Sequence, residues 1–506
     1  MEYSQGKLLE RLAAEVTESP DGWRKIETHI SVILLTGEDA YKFKKPLQLG
    51  FLDYSTLEKR RENCLKELEI NRRFSEQLYL NLVAVIETDK QLRLVDAQQV
   101  ADSDDVLEYG VRMKQFPADS LLHDRLKAGL PTVAMDQLAD VLAELHSRLP
   151  VTRFSADQFH EATKRWAKEN FQYLRNHLVD FNTCQTLEQW TDQFWQDHQG
   201  IMAKRFQSGH VRRCHGDLHL ENVLFWDEQF QLFDGIEFND ELSEIDVAND
   251  LAFLLMELSE HGYRSHARRL LSRYLERSQD YELIGVLRYY LVYRALVRAK
   301  VDLIRQQQTS QQERSRFSAA GKNYQEFAER IVEDGDPTLY LMHGVSGSGK
   351  STVAMRMVEH LGVVRLRSDW VRKFQHDQSD PYQKTSVTEL SRLYSQEATD
   401  KTYQWLLEQA ALLLANGFSV AVDATFLSVA QRSPFQKLAE SLGIDYRLVA
   451  CHASRAELVR RLRERGSDPS DATVEVLDRQ LHSHEPLLEA EASMVVTPEQ
   501  LFSVDF

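Results

Sequence analysis

The sequence predicts two kinds of fold in one chain: an α+β, two-lobed part to about residue 332, then an α/β domain with a parallel sheet over 337–506. Three observations predict this. From Trp23 to Phe116, short apolar runs alternate in the manner of strands around one helical segment. From Pro117 to about Val332, apolar residues recur at three- to four-residue spacing. Beyond the charged turn EDGDP, strand and helix patterns alternate. The 506 residues allow about three domains at roughly 150 residues each. With 42% hydrophobic and 27% charged residues there is material for more than one core, which excludes wholesale disorder.

The segment MEYSQGKLLERLAAEV reads as an amphipathic helix, not a signal peptide. IETHISVILL and AYKFKK follow as strands, STLEKRRENCLKELEINRRFSEQL as a helix, and LVAVIE, LRLVD and YGVRMKQF as further strands. Residues 1–116 therefore make a sheet-rich lobe. Residues 117–332 make a helical one, through MDQLADVLAELHSRL, LIGVLRYYLVYRALVRAKVDLI and FSAAGKNYQEFAERIVE. A loop-and-short-strand region, Cys214 to Asn239, interrupts the helical lobe. Gly335 and Pro337 then mark the main boundary. In 337–506, TLYLMHG, VVRLRSD, SVAVDATF and YRLVACHA read as strands separated by helices, the pattern of a parallel sheet with helical crossovers.

Charge is uneven. The 61 Lys+Arg and 78 Asp+Glu leave −17, of which −4 falls in residues 337–506 and −13 before them. So acidic a chain lacks the cationic footprint that nucleic acid or an anionic membrane surface requires, and both are disfavoured as partners. Cys64, Cys184, Cys214 and Cys451 are far apart and include no CxxC pair. That argues against a disulfide framework or zinc site and for a reducing compartment. No apolar run approaches the ~18 residues of a membrane span. The expectation is a soluble, cytoplasmic protein.

The strongest motif is GVSGSGKS, Gly344 to Ser351, matching G-x-x-x-x-G-K-[ST] between a strand candidate, Leu339–Met342, and a helix candidate. Gly344, Val345, Ser346, Gly347, Ser348 and Gly349 would curl backbone N–H groups around a polyphosphate at a helix N-terminus, continuing into Thr352. Lys350 reaches the β- and γ-phosphates, and the Ser351 hydroxyl takes Mg²⁺. Asp369, ending VVRLRSD, is the candidate base for an acceptor hydroxyl, against a helix-capping role. Asp423, ending SVAVD, is the candidate second carboxylate near Mg²⁺, against an ordinary turn residue. Arg461 and Arg465, at i, i+4 in RAELVRRLRERGSDPSDA, suit a lid closing on phosphates, against a solvated basic face. In the order GVSGSGKST, RSDWVRK, VDATF and RLRER, residues 337 to about 480 resemble the small-molecule and zeta-toxin-like P-loop kinases, among them gluconate kinases. That resemblance implies phosphoryl transfer to a hydroxyl, with Asp369 as base.

The second motif is HGDLHLEN, His215 to Asn222, followed by FQLFDGIEF. It offers a carboxylate, Asp217, an amide five residues on, Asn222, and a second carboxylate, Asp234, closing a short strand. This matches the H-x-D-x-x-x-x-N loop and metal-binding Asp of protein-kinase-like enzymes. Asp217 would accept the acceptor's proton, Asn222 and Asp234 would hold Mg²⁺, and His215 would brace the loop. With His219 between Asp and Asn, the form HGDLHLENVLF…FDGIEF resembles the aminoglycoside phosphotransferase and choline-kinase branch over roughly residues 20–330. Such a fold needs a strand lysine paired with a helical glutamate. Lys42 in AYKFKK is preferred, with Lys44, on the same strand face, as the alternative. Glu67 is the chosen partner, with Glu62 second. No G-x-G-x-x-G precedes the lysine; THISVILLTGED stands there, and Ser31 is a candidate phosphate contact. Glu237, Asp240, Glu241, Glu244 and Asp246 are candidates for a cationic acceptor's site, although Asp246 and Asp250 also suit a bracing role. Arg288, Arg294 and Arg298 would imply an anionic acceptor if they pointed inward, and otherwise read as a solvated stripe.

The expectation is a bifunctional ATP-dependent phosphotransferase acting on small hydroxylated molecules, one Mg·ATP site per part. Two alternatives stand beside it. One is a regulatory nucleotide-binding protein with a pseudokinase half; the other is a toxin-like kinase of sugar nucleotides or nucleic-acid ends.

Overall fold

The computed structural model describes residues 5–15, 23–49, 52–101, 105–177, 181–308, 311–333, 335–376, 392–464, 470 and 472–502. Backbone packing divides the chain into two compact units. One comprises residues 1–131, 144–172 and 202–257, the other 132–143, 173–201 and 258–506.

In the first unit six strands form one antiparallel sheet, in the order Arg24–Glu27, Ser31–Leu35, Asp39–Lys44, Val106–Lys114, Tyr79–Thr88, Gln91–Asp96. The run IETHISVILL is two strands, not one. The Ser31 amide donates to the Thr28 hydroxyl at 3.0 Å and the Thr28 amide to the Ser31 carbonyl at 2.9 Å, closing a turn inside it. Helix Leu57–Asn71 starts at Thr56, whose hydroxyl accepts from the Lys59 amide. It buries Cys64 and Leu68 against Leu78 and, from the sheet, Tyr79, Val111 and Met113. Helix Gln5–Glu15 covers another patch with Leu8, Leu9 and Leu12, against Val32, Leu34, Phe43 and Leu92.

The interruption expected at 214–239 is present. Strand Val211–Arg213 pairs antiparallel with Glu244–Asp246, and between them lies the hairpin Val223–Trp226/Gln229–Leu232. Buried Arg205 grips Asp246 through two bonds of 2.8 Å each, a bidentate pair that anchors this region at its base.

The second unit holds a five-stranded parallel sheet, in the order Val364–Arg367, Val420–Asp423, Thr338–His343, Asp445–Ala450, Val495–Val496. The inner strands are nearly continuous apolar runs, as strands buried on both faces must be. The last strand has two residues, too short to leave a sequence pattern. Helix Lys350–Leu361 is capped at its C-terminus by the neighbouring helix Arg264–Ser278. Arg268 donates to the carbonyls of Glu359 at 3.1 Å and His360 at 2.8 Å, and Arg269 to the Glu359 carboxylate at 2.6 Å. Glu276 of that same helix, 1% exposed, accepts from Arg365 at 3.0 Å. Arg273 clasps Asp140 through two 2.8 Å bonds and lies over the Trp370 ring at 4.6 Å.

The solvated stripe read for Arg288, Arg294 and Arg298 is corrected. Helices Ile284–Gln308 and Gln311–Val332 pack together, so Arg288 donates to the carbonyls of Ile331 and Glu333, Arg298 lies over Tyr324, and Arg294 is buried. The four cysteines are free and buried, and no helix among the described residues is long and apolar enough to cross a membrane.

Candidate active sites

Alternation along strand Asp39–Lys44 puts Lys42 and Lys44 on one face, and both reach Glu67 near the end of helix Leu57–Asn71. Lys42 Nζ lies 2.8 Å from Glu67 Oε1, and Lys44 Nζ lies 2.8 Å from Oε2. Lys42 also pairs with Asp234, and Lys44 with Glu237. The two candidate lysines are thus members of one buried network, with Lys42 the one beside Asp234. Glu62, the second option for the partner, is exposed. Burial pushes the Glu67 carboxyl up, but the two ammonium groups outweigh it and hold it at about 2. Burial likewise opposes charge on both lysines, and their carboxylates overcome it and raise them.

The HGDLHLEN loop is held from behind. The Asp250 carboxylate accepts from the backbone amides of His215 at 3.0 Å and Gly216 at 2.9 Å. The bracing role for Asp250 therefore fits this geometry. His215 Nδ1 accepts from the Asp217 amide at 3.3 Å, so Nε2 carries the proton donated to the Phe233 carbonyl at 2.8 Å. Burial lowers its pKa, and the ring is a neutral strut. Gly216 needs its missing Cβ: at φ +81° a methyl group would lie 2.5 Å from the Leu242 carbonyl oxygen. Asn222 donates its amide to the Asp217 carbonyl at 2.9 Å and carboxylate at 3.1 Å, which leaves its side-chain oxygen as the atom able to ligate a cation.

Asp234 stands at φ +61°, a conformation uncommon outside glycine. Its amide donates to the Tyr79 hydroxyl at 2.9 Å, and the next amide, of Gly235, to Asn71 Oδ1 at 2.7 Å. Helix and sheet together hold the strained turn. Asn71 follows Glu67 by four residues on the same helix face, a spacing signal the sequence reading passed over. The acidic candidates for a cationic acceptor are all engaged elsewhere. Glu237 pairs with Lys44, Asp240 with Arg213, Glu241 with Arg165, Glu244 with the Thr152 hydroxyl, and Asp246 with Arg205.

In the second unit the phosphate-loop pattern folds as a loop between strand Thr338–His343 and helix Lys350–Leu361. Gly344, Gly347 and Gly349 have φ of +144°, +82° and +97°. A Cβ on Gly344 would sit 2.4 Å from the Cys451 carbonyl oxygen. The Ser348 hydroxyl is buried with no hydrogen-bond partner, and Lys350 Nζ folds back onto the Val345 carbonyl at 2.9 Å. Donors curled around a cradle that side chains would fill fit a polyphosphate.

A cavity of about 690 Å³ opens beside the loop at the carboxyl ends of the strands. It brings together Ser346, Gly347, Gly349, Lys350, Ser351 and Thr352 with Asp369, Asp423 and Arg461; Gly344, Val345 and Ser348 do not line it. Strand Val364–Arg367 ends two residues before Asp369, which sits in the first turn of helix Ser368–Phe374 and still faces the cavity. The Ser368 hydroxyl donates to the Asp423 carbonyl at 3.1 Å, which ties the two carboxylate-bearing ends together. Arg461 reaches the Gly347 carbonyl at 3.3 Å and is held by Glu457 at 2.7 Å. Arg465 lies outside the described residues. The sequence reading missed Gln480, whose side-chain oxygen accepts from the Ser346 amide at 2.8 Å, and Arg372, Thr399 and Tyr403, which also line the cavity.

Residues 59–286 match the Phosphotransferase enzyme family, and residues 339–487 match an AAA domain. Uncharacterized proteins of Mycobacterium tuberculosis and Mycobacterium bovis are 30% identical over 459 residues, covering 89% of this chain and 88% of theirs. The chain belongs to the family of these mycobacterial proteins. Its architecture is an aminoglycoside phosphotransferase-like kinase fold followed by a P-loop kinase-like domain, and such domains carry phosphotransferase chemistry with ATP in general. Among solved structures, a choline/ethanolamine kinase family protein from Mesorhizobium loti is 13% identical with a TM-score of 0.40, covering 65% of this chain and 95% of that one. A gluconokinase from Sinorhizobium meliloti 1021 is 20% identical with a TM-score of 0.24, covering 32% of this chain and 82% of that one.

Proposed function

We propose that the chain is a bifunctional phosphotransferase that moves the γ-phosphate of ATP to hydroxyls of small molecules, with one Mg·ATP site in each part. The parts are a kinase-like N-lobe, 1–116, a helical C-lobe, 117–332, and a P-loop kinase domain, 337–506. The observation that carries the reading is the P-loop cavity, where a phosphate cradle, a lysine, a hydroxyl and two carboxylates converge, one closing a strand and one in the first turn of the helix after another. Bound Mg·ATP would supply the phosphoryl group to be transferred.

In the P-loop part, Lys350 neutralises phosphate charge, Ser351 and Asp423 hold Mg²⁺, and Asp369 takes the acceptor hydroxyl's proton. In the kinase-like part, Lys42, oriented by Glu67, meets the nucleotide phosphates, Asn222 and Asp234 hold Mg²⁺, and Asp217 is the base. The free, buried cysteines suit a reducing cytoplasm. One observation favours the regulatory alternative for the kinase-like part: Lys42 is ion-paired with Asp234 itself, so nucleotide must part them to use both.

The test is γ-phosphate turnover with a metabolite extract and labelled ATP, on wild type, Lys350→Ala and Asp217→Ala. Each change is expected to abolish a different set of labelled products. Turnover and nucleotide affinity unaltered in both variants would refute the proposal. Stoichiometric ATP binding without acceptor-stimulated turnover would favour the regulatory reading.

A further inference from the structure

We propose that Arg372 recognises an anionic group on the acceptor of the P-loop cavity, so that this acceptor is a hydroxylated molecule carrying a carboxylate or a phosphate. The inference rests on reading that cavity as a phosphoryl-transfer site with Asp369 as base.

Arg372 is 6% exposed and lines the same cavity as Lys350, Asp369 and Asp423. It stands three residues after Asp369 on helix Ser368–Phe374, so the two side chains leave the helix on neighbouring faces. Tyr403 lines the same cavity, within electrostatic reach of both side chains. The hydrogen bonds Arg372 makes run through one nitrogen. Nη1 donates to the Leu393 carbonyl at 2.7 Å and the Thr399 hydroxyl at 3.2 Å, while Nε is buried with no partner. The guanidinium lies over the Tyr394 ring at 4.9 Å, which fixes its plane.

No carboxylate of the described residues pairs with it. Four other buried arginines of this chain each have a carboxylate: Arg205 has Asp246, Arg273 has Asp140, Arg432 has Glu491, and Arg60 has Glu108. A buried guanidinium without an opposite charge is costly. The unpartnered Nε belongs, with Nη2, to the edge that takes a carboxylate or phosphate through two parallel bonds. An anion brought by the acceptor would complete Arg372 and set the acceptor's hydroxyl side towards Asp369. Neutral polyols would leave the charge unmet and be rejected by the same cavity.

The test titrates the full chain, saturated with Mg²⁺ and the β,γ-imido analogue of ATP so that the nucleotide's phosphate positions are filled. Calorimetry measures binding of inorganic phosphate, gluconate and neutral glucose. At least one anion is expected to bind wild type about tenfold or more tighter than glucose, and Arg372→Gln to weaken it by roughly tenfold to a hundredfold, the range for charge-assisted bonds. Arg372→Lys, which keeps the charge but not the fork, should recover part of the loss. Circular dichroism of both variants checks that they fold. Phosphate-selective binding identifies a phosphate-bearing acceptor, and gluconate-selective binding a hydroxy acid. Equal anion affinity in wild type and Arg372→Gln overturns the proposal, as does binding of neither anion to wild type. Should the analogue fail to bind wild type, or bind Lys350→Ala equally well, the phosphoryl-transfer reading falls separately. Titration of the nucleotide-free chain then decides the Arg372 site.

Discussion

Glu67→Gln keeps the side chain's shape and removes the charge that two buried ammonium groups share. The wild-type carboxyl is drawn from 4.5 to about 2 by Lys42 and Lys44, against burial. At about 1.4 kcal/mol per pKa unit that shift corresponds to roughly 3 kcal/mol of stability. Breaking a buried ion pair from one side costs about 3–5 kcal/mol, the same order of magnitude. Because the folded pKa is depressed, the contribution is fully present above pH 4.5 and is lost as pH falls from 4.5 towards 2. Urea titrations of the full chain at pH 7 and at pH 3, with hydrogen exchange followed in strand Asp39–Lys44 and helix Leu57–Asn71, read the effect locally. The variant should lose about 3 kcal/mol at pH 7 and much less at pH 3, with protection falling in those two elements first. A loss under about 1 kcal/mol at pH 7, or an equal loss at both pH values, would refute the view that Glu67 holds the lysines.

Three further outcomes are expected. Gly344→Ala, which sets a methyl group 2.4 Å from the Cys451 carbonyl oxygen, should displace the phosphate loop. Nucleotide affinity measured by calorimetry should fall by more than about tenfold, the strain being of order 1–3 kcal/mol. Burial pushes His343 down to about 4, so protonation opposes folding: stability is unaffected above pH 6.5 and falls by roughly 3 kcal/mol as pH drops from 6.5 to 4. His343→Gln should flatten that slope in thermal melts. Glu276→Gln leaves Arg365 buried beside a neutral group and should cost about 3 kcal/mol in denaturant, with exchange protection of strand Val364–Arg367 falling first.

How much of this was legible in the sequence depends on how local the chemistry is. The phosphate loop needs contiguous residues, so GVSGSGKS showed its glycines, lysine and hydroxyl at once. HGDLHLEN showed Asp217 and Asn222 for the same reason. Lys42, Glu67 and Asp234 were legible as types, but their joining with Lys44 and Glu237 in one network depends on strand, helix and loop meeting in space. Glu237 and its acidic neighbours looked like an acceptor surface because sequence shows charge without its partner. Arg288 and Arg298 looked solvated because the helix that covers them, Gln311–Val332, is not visible from their own periodicity. Arg372 lay inside the motif RSDWVRK without standing out: what distinguishes it is the counter-ion it lacks among the described residues, and that is a property of the fold.

The acidity of the chain takes on a narrower meaning from these pairings. Residues before 337 hold −13 of the −17 net charge, which invites a site for a cationic acceptor just after Asp234. Yet Glu237, Asp240, Glu241, Glu244 and Asp246 each have a partner already. Moving any of them to meet a ligand would strand a lysine, an arginine or a hydroxyl, and where the pair is buried that cost is several kcal/mol. Net charge therefore does not locate an acceptor in the kinase-like part. In the P-loop part the logic is reversed. Its balance of −4 is nearly neutral, but one buried guanidinium lacks a carboxylate among the described residues, so the informative charge there is positive. On the proposed reading, ligand chemistry follows from the charges that a fold leaves without a counter-ion, and by that measure Arg372 says more about an acceptor than the whole acidic excess.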